Sequence, residues 1–303
     1  MANHRLLIVS SWLCVLLVGS CHANNAFGTR ILGGDEADNE FLFPYHVYLT
    51  LGHGKYVCGG SIIGDYHVLT AAHCVMKNSR EFHDDVLQRG LNVVAGTSNL
   101  RDLRAEHAKT RRVVKMYVPK AYDLGRLRGD IAVLKLNEPL GLNVFTNQLQ
   151  EVALPPKENT NYAGQKAIVT GFGYTRYWSP QENLRQTNPY VKLSENLKYL
   201  KTKVLDQNLC MQKQLTQPSN TIICAQADQN EYNWKEYQGT CKGDSGGPLV
   251  VHGVVIGVAS HTISSHQCSE WYTPSFYTSV AVWKPFIELA MQDQTRGMIT
   301  HTY

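Results

Sequence analysis

Two six-stranded antiparallel β-barrels followed by a C-terminal helix is the all-β fold class that this 303-residue sequence predicts. Three observations carry the prediction. Short β-branched or aromatic runs follow one another in two sets of six, punctuated by Gly and Pro. A polar connector containing Pro155-Pro156 separates the sets. Apolar residues at sustained helical spacing occur only near the end.

The first 23 residues come before any of these runs. Arg5 precedes the apolar run Leu6 to Val18, and small residues at Cys21 and Ala23 suit cleavage before Asn24. The run is too short, and too interrupted by Ser10-Ser11, for a comfortable membrane span. Residues 1–23 therefore read as a secretory signal peptide, and the mature chain as a secreted, extracellular protein without a membrane partner.

The first set of runs is Tyr45–Leu51, Cys58–Ile63, Tyr66–Thr70, Val93–Thr97, Arg112–Val118 and Ile131–Leu136. They assign residues 31–150 to a first barrel. Residues 147–161 are the connector. Ala167–Phe172, Leu197–Val204, Thr221–Ala225, Pro248–Val251, Val254–Ala259 and Ser275–Val280 assign 151–282 to a second barrel. Trp283, Phe286, Ile287, Ala290 and Met291 make one face of a helix over 283–292, packed on a barrel. Residues 293–303 read as a frayed tail. Two polar stretches, Arg176–Val191 and Arg101–Arg112, read as surface loops; surface variation accounts for both, with shaping of access to a cleft as the alternative for the first.

Composition narrows the function classes. The 43% hydrophobic content is that of a globular chain. The formal charge is only +4, and residues 1–30 contribute Arg5 and Arg30 with no acid, so no nucleic-acid partner is indicated. Lys109, Arg111, Arg112 and Lys115 form the densest basic cluster and read as a solvated strand face. Of eight cysteines, Cys14 and Cys21 leave with the signal. The remaining six suit disulfides in an oxidising compartment, with about fifteen possible connectivities. No C-x2-C pair occurs, so no metal site is expected.

Chemistry concentrates in three segments. Gly243-Asp244-Ser245-Gly246-Gly247-Pro248 sets a small hydroxyl among glycines that let backbone N–H groups approach a substrate. Leu69-Thr70-Ala71-Ala72-His73-Cys74 supplies an imidazole, whose proton affinity lies near neutrality. Asp130-Ile131-Ala132-Val133-Leu134 opens an apolar strand with a carboxylate. The G-x-S-x-G pattern also fits an α/β-hydrolase nucleophile elbow. That fold needs strands alternating with long helices, and the chain between the motifs lacks helical periodicity.

Together the three motifs, in this order, resemble those of the trypsin/chymotrypsin family of serine proteases, over Ile31 to about Gln292. The resemblance implies a serine endopeptidase with Ser245 as nucleophile, His73 as general base and acid, and Asp130 as orienting carboxylate. Gly243 and Ser245 would supply the oxyanion hole, and Ser260 would help hold Asp130. The implied disulfides are Cys58–Cys74, Cys210–Cys224 and Cys241–Cys268. Arg30-Ile31-Leu32-Gly33-Gly34 resembles the family's activation site. Residues 24–30 would then be an activation propeptide and 31–303 the protease domain, with the Ile31 amine pairing with Asp244 after cleavage. The implied partners are protein or peptide substrates, an Arg-specific activating protease and protein inhibitors; the chain would be a monomer needing no cofactor.

The resemblance fails at the substrate pocket. Where trypsin-like members carry Asp, six residues before the nucleophile, this chain has Gly239. Ser260-His261-Thr262 stands where Ser-Trp-Gly is usual, and Pro274-Ser275-Phe276-Tyr277 where Pro-Gly-Val-Tyr is usual. Thr262 and Ser275 thus replace two small residues and should narrow the pocket. Chymotrypsin- or elastase-like specificity is expected rather than trypsin-like. The rival class, a non-catalytic homologue acting as a binding or adaptor protein, usually loses a triad residue; this chain loses none. Thr97 replaces the usual calcium-loop carboxylate.

Overall fold

In the computed structural model the described residues are 34–126, 128–142, 149–156, 161–174, 193–214, 220–228, 239–263, 268 and 273–303. The signal and propeptide, the activation site Arg30-Ile31 and the loop Arg176–Val191 lie outside them.

A two-residue strand, β1 (Asp35–Glu36), opens the described chain. Then come β2 (His46–Leu51), β3 (Tyr56–Gly64) and β4 (His67–Thr70), a short helix α1 (Asp84–Arg89), β5 (Leu91–Ala95), β6 (Lys109–Pro119) and β7 (Ala132–Leu136). Six of these strands run in the order β6-β5-β2-β3-β4-β7, all antiparallel, and β7 returns to β6 to close a barrel. Closure removes the exposed sheet edges that invite aggregation.

The second half repeats the plan with β8 (Lys166–Gly171), β9 (Lys198–Val204), a helix α2 (Gln207–Gln214), β10 (Ile222–Ala227), β11 (Pro248–Val251), β12 (Val254–Thr262) and β13 (Ser275–Ser279). Their order is β9-β10-β13-β12-β11-β8, and β8 closes on β9. The expected fold class is therefore observed: two closed six-stranded antiparallel barrels and a C-terminal helix, α3 (Val280–Met291).

Strand β2 shows how the sequence builds the contact between barrels. All six of its residues are buried. Alternate side chains of a strand point to opposite faces. Val47, Leu49 and Leu51 fill the first barrel. Tyr48 faces the other way, into a cluster with Val94, Phe172 and Leu197. Phe172, at the end of β8, meets His46, Tyr48 and Tyr56 at ring-centroid distances of 5.6, 5.4 and 6.3 Å. Aromatic rings from both halves thus form the seam above which the candidate site lies.

The chain ends cross over. Strand β1 pairs with β9, so the segment before the first barrel extends the second one's sheet. Helix α3 follows the second barrel, yet Phe286, Ile287 and Ala290 belong to the core cluster of the first. The expected frayed tail is instead a strand, β14 (Met298–Thr302), paired with β6 from Pro119 to Lys115. Ile299, Thr300 and Thr302 are β-branched, and the fold supplies the free edge of β6 that they complete. Just before it, Asp293 accepts hydrogen bonds from Lys115 (2.5 Å), Tyr117 (2.5 Å) and Lys135 (2.8 Å).

Those donors hold the Asp293 carboxyl far below the usual carboxylate range. A carboxyl depressed in the folded state contributes stability in full above its unfolded value of about 4 and loses it as pH falls. Asp293 is partly exposed, so solvent screening limits the effect to about 1 kcal/mol. Asp293→Asn should therefore lower urea stability modestly at neutral pH, with the gap to wild type narrowing at about pH 3. An unchanged gap would remove the ionic explanation.

Candidate active site

The site is built around a buried charge. Asp130 is 2% exposed. It follows Gly129, whose φ of +65° favours glycine and whose Cβ, if present, would press on the Trp283 ring at 3.0 Å. Helix α3 thereby fixes the turn that delivers Asp130. Thr278, on β13 of the second barrel, donates its hydroxyl to the Asp130 backbone carbonyl (2.8 Å). A buried carboxylate needs donors for its oxygens. Oδ1 accepts from the His73 backbone N–H (2.9 Å), and Oδ2 from His73 Nδ1 (2.8 Å) and the Ser260 hydroxyl (2.5 Å).

His73 sits in a short 3-10 turn, Ala72–Cys74, right after β4. The Cys58–Cys74 disulfide ties that turn to β3. Its side chain is a quarter exposed, so one ring edge faces the cleft. Burial alone would lower the imidazole; the Asp130 charge and hydrogen bond outweigh it and hold the ring above the usual histidine range. Burial alone would raise Asp130, and the His73 charge with the bonds from His73 and Ser260 keeps it below the usual carboxylate range. Both shifts favour the ion pair, and one nitrogen bound to Asp130 leaves Nε2 for chemistry.

Ser245 lies in the turn before β11. The Gly59 N–H donates to its carbonyl (2.8 Å), anchoring the turn beside Cys58. The next residue, Gly246, has φ +79°, and a Cβ there would collide with Thr70 Oγ1 and the Gly59 carbonyl. Only glycine fits where this turn presses against β3 and β4. On the other side of Ser245, Asp244 is 1% exposed. Its carboxylate accepts from the Gly173 and Cys241 backbone N–H groups, both at 2.8 Å. Burial pushes its carboxyl up to about 7, against the pull of those two bonds. The Cys241–Cys268 disulfide lies at the base of this loop, and Cys210–Cys224 links α2 to β10.

A cavity of about 250 Å³ opens beside Ser245 and is lined in part by Thr240, Lys242, Ser260, His261 and Thr262. Of the four expected pocket residues, Ser260 and Thr262 are on its wall. Gly239 is buried just before Thr240 and is not on the lining. Ser275 turns its hydroxyl toward Thr240, which donates from both N–H (3.2 Å) and Oγ1 (2.8 Å). It pairs with Thr262 across β12 and β13, behind the cavity.

Two contributors escape sequence reasoning. Tyr56 donates its hydroxyl to the Gly243 carbonyl (2.6 Å) across 187 residues. His83 reaches the His73 carbonyl with Nε2 (3.2 Å). Neither lies in a motif, and no local pattern marks either one. His73, Asp130 and Ser260 are brought into direct contact, with Ser245 and Gly243 on the adjoining loop. Cys58, Cys74 and His73 are close enough to suggest metal ligands, but the two sulfurs are spent on their disulfide.

A family model described as Trypsin matches residues 31–287. The chain belongs to the trypsin family. Among relatives of this trypsin-family chain, human Granzyme M is 28% identical over 279 residues, covering 91% of the chain and 95% of the relative. Seminase from Drosophila melanogaster is 30% identical over 266 residues, covering 86% and 82%. A solved structure of neuropsin, a serine protease expressed in the limbic system of mouse brain, superposes with a TM-score of 0.66 at 24% identity, covering 84% of this chain and 98% of that one. That likeness supports the double-barrel fold. No described helix is long and apolar enough to cross a membrane.

Asp244 generates a pH prediction for the full-length chain. A carboxyl raised in the folded state binds more protons there than when unfolded, between about 4 and about 7. Stability should fall as pH rises through that window. Asp244→Asn removes the titration but strands one backbone donor, so the comparison is between slopes rather than absolute values. The melting temperature of the variant should change less than wild type from about pH 5 to about pH 8; parallel curves would show that Asp244 does not titrate there.

Proposed function

We propose that this trypsin-family chain is a secreted serine endopeptidase acting through an acyl-enzyme. The observation that carries the proposal is the buried His73–Asp130 pair, 2.8 Å apart, with Ser260 on the same carboxylate oxygen. Ser245 Oγ attacks the scissile carbonyl while His73 Nε2 takes its proton. Backbone N–H groups of Gly243 and Ser245 receive the developing oxyanion. His73 then passes the proton to the leaving amine. Water, deprotonated by the same nitrogen, attacks the ester and frees Ser245. Asp130 keeps Nδ1 protonated and stabilises the imidazolium without taking a proton itself.

Activation would follow cleavage between Arg30 and Ile31 by an Arg-specific protease. The freed ammonium would pair with Asp244. The support lies in Asp244 itself: a buried carboxylate at about 7, held by two backbone donors, is the group a delivered cation would stabilise most.

Specificity would be chymotrypsin- or elastase-like. No substrate cation finds a free carboxylate among the described lining residues, because Asp244, the one acid there, is the partner proposed for the Ile31 ammonium. Lys242 on the same wall adds repulsion for Lys or Arg. Thr262 and His261 add bulk where smaller walls would admit large aromatic rings, which favours small or medium aliphatic side chains.

Ser245→Ala, His73→Ala and Asp130→Asn should each cut peptide hydrolysis by roughly 10⁴-fold or more, with losses far from additive because the three act as one unit. The precursor should be nearly inactive until the Arg30-Ile31 bond is cut, and Arg30→Gln should block activation by a trypsin-like enzyme. Wild-type turnover by Ser245→Ala, or full activity with the bond intact by N-terminal sequencing, would defeat these assignments. On matched peptides, Leu or Ala before the scissile bond should outrun Phe, and all three should outrun Arg. An Arg substrate cleaved fastest would overturn the charge argument; Phe beating Leu and Ala would overturn the size argument alone.

A further inference from the structure

His261 stands where the family's motif has Trp, and its nitrogens take no part in the acyl-transfer steps. Its surroundings assign the ring another role. Pairing between β12 and β13 slips between Ala259 and His261: Ala259 lies opposite Tyr277 and His261 opposite Phe276, which leaves Ser260 as the extra residue of a bulge. Bulges re-aim side chains. Here the bulge sends the Ser260 hydroxyl to Asp130 Oδ2 at 2.5 Å and leaves His261 Nδ1 3.2 Å from the same hydroxyl oxygen. Across the strand pair the His261 ring stacks on Phe276, centroids 4.9 Å apart and planes 10° from parallel, which fixes the ring's orientation.

Proton accounting then sets the direction of every bond. Ionised Asp130 can only accept. The single hydroxyl proton of Ser260 therefore goes to Asp130, so the hydroxyl oxygen must accept from His261. Nδ1 must carry the proton, and in the neutral ring Nε2 is bare. That nitrogen is buried and has no hydrogen-bond partner among the described residues. A second proton there would be an unpaired buried cation, which is costly. Burial presses the His261 imidazole down to about 4, against the pull of the Asp130 charge and with a smaller push from His73. The ring is thus a fixed neutral donor at physiological pH.

We infer that His261 is a positioning residue: its Nδ1–H locks the Ser260 hydroxyl onto Asp130, completing a four-member chain His261–Ser260–Asp130–His73. A serine hydroxyl rotates freely unless its lone pairs are engaged. Occupied by His261, it has one direction left for its proton. The lock holds Asp130 as a carboxylate and holds it in place under His73. This rests on the proposed protease chemistry, because the consequence is read in turnover.

The test uses the full chain after cleavage at Arg30, with a nitrophenyl ester of an uncharged acylated amino acid as substrate. His261→Phe keeps a ring to stack on Phe276 and removes the donor. Its kcat should fall about three- to tenfold, the worth of one hydrogen bond, whatever the changed cavity wall does to KM. In a Ser260→Ala background His261→Phe should cost nothing further, since its effect passes through that hydroxyl. An unchanged kcat, a loss in KM alone, or full additivity with Ser260→Ala would overturn the inference. A second measurement needs no variant: ¹⁵N spectra of wild type at neutral pH should show His261 as the Nδ1–H tautomer, and the Nε2–H tautomer would refute the chain. If wild type fails to turn over the ester, the protease reading falls, while the tautomer still decides the hydrogen-bond chain.

Discussion

The burial of Asp130 is the constraint on which the rest of the structure depends. A carboxylate taken out of water needs every acceptor position filled. Here the donors come from two separately closed barrels. His73 belongs to the first and Ser260 to the second, where Thr278 also donates to the Asp130 backbone carbonyl. Neither barrel alone can satisfy the charge, so docking of the barrels and assembly of the site are one event. The aromatic seam around Phe172 supplies apolar area for that docking, and Asp130 gives it a unique register. Helix α3 joins the same arrangement, because Trp283 packs where Gly129 turns the chain toward Asp130.

Asp244 is the counterpart. It is as buried as Asp130, but its donors are backbone N–H groups rather than a potential cation. The two carboxyls are accordingly driven in opposite directions, Asp130 below and Asp244 above the ordinary range. One environment stabilises charge permanently; the other makes charge costly until a partner arrives. The difference lies in what surrounds each carboxyl: a hydrogen-bonded imidazole for Asp130, backbone amides alone for Asp244.

The crossed chain ends serve the same economy of contacts. Strand β1 leaves the first half to extend the second barrel, and α3 with β14 leaves the second half to cover the first. Each end fastens the barrel it does not belong to. Tyr303 closes the arrangement by donating its hydroxyl to the Val86 carbonyl on α1 (2.6 Å), beside the His83 that touches the His73 backbone.

The sequence by itself determined the twelve barrel strands and the terminal helix, and it singled out His73, Asp130 and Ser245 as candidates. Strand formation is local: β-branched and aromatic runs ended by turn residues declare themselves within a few positions. The motifs are local too, since glycine spacing around Ser245 and the start of the strand at Asp130 sit in consecutive residues. What lies between distant segments was not legible. The strand at Met298–Thr302 exists only because β6 offers it a partner. The hydroxyl of Ser275 could point into the cavity or behind it, and the fold turned it to Thr240. The bond from Tyr56 to Gly243 and the proton on His261 Nδ1 depend on neighbours more than a hundred residues away. Hydrogen-bond direction and buried charge are properties of completed environments, and tertiary structure alone completes them.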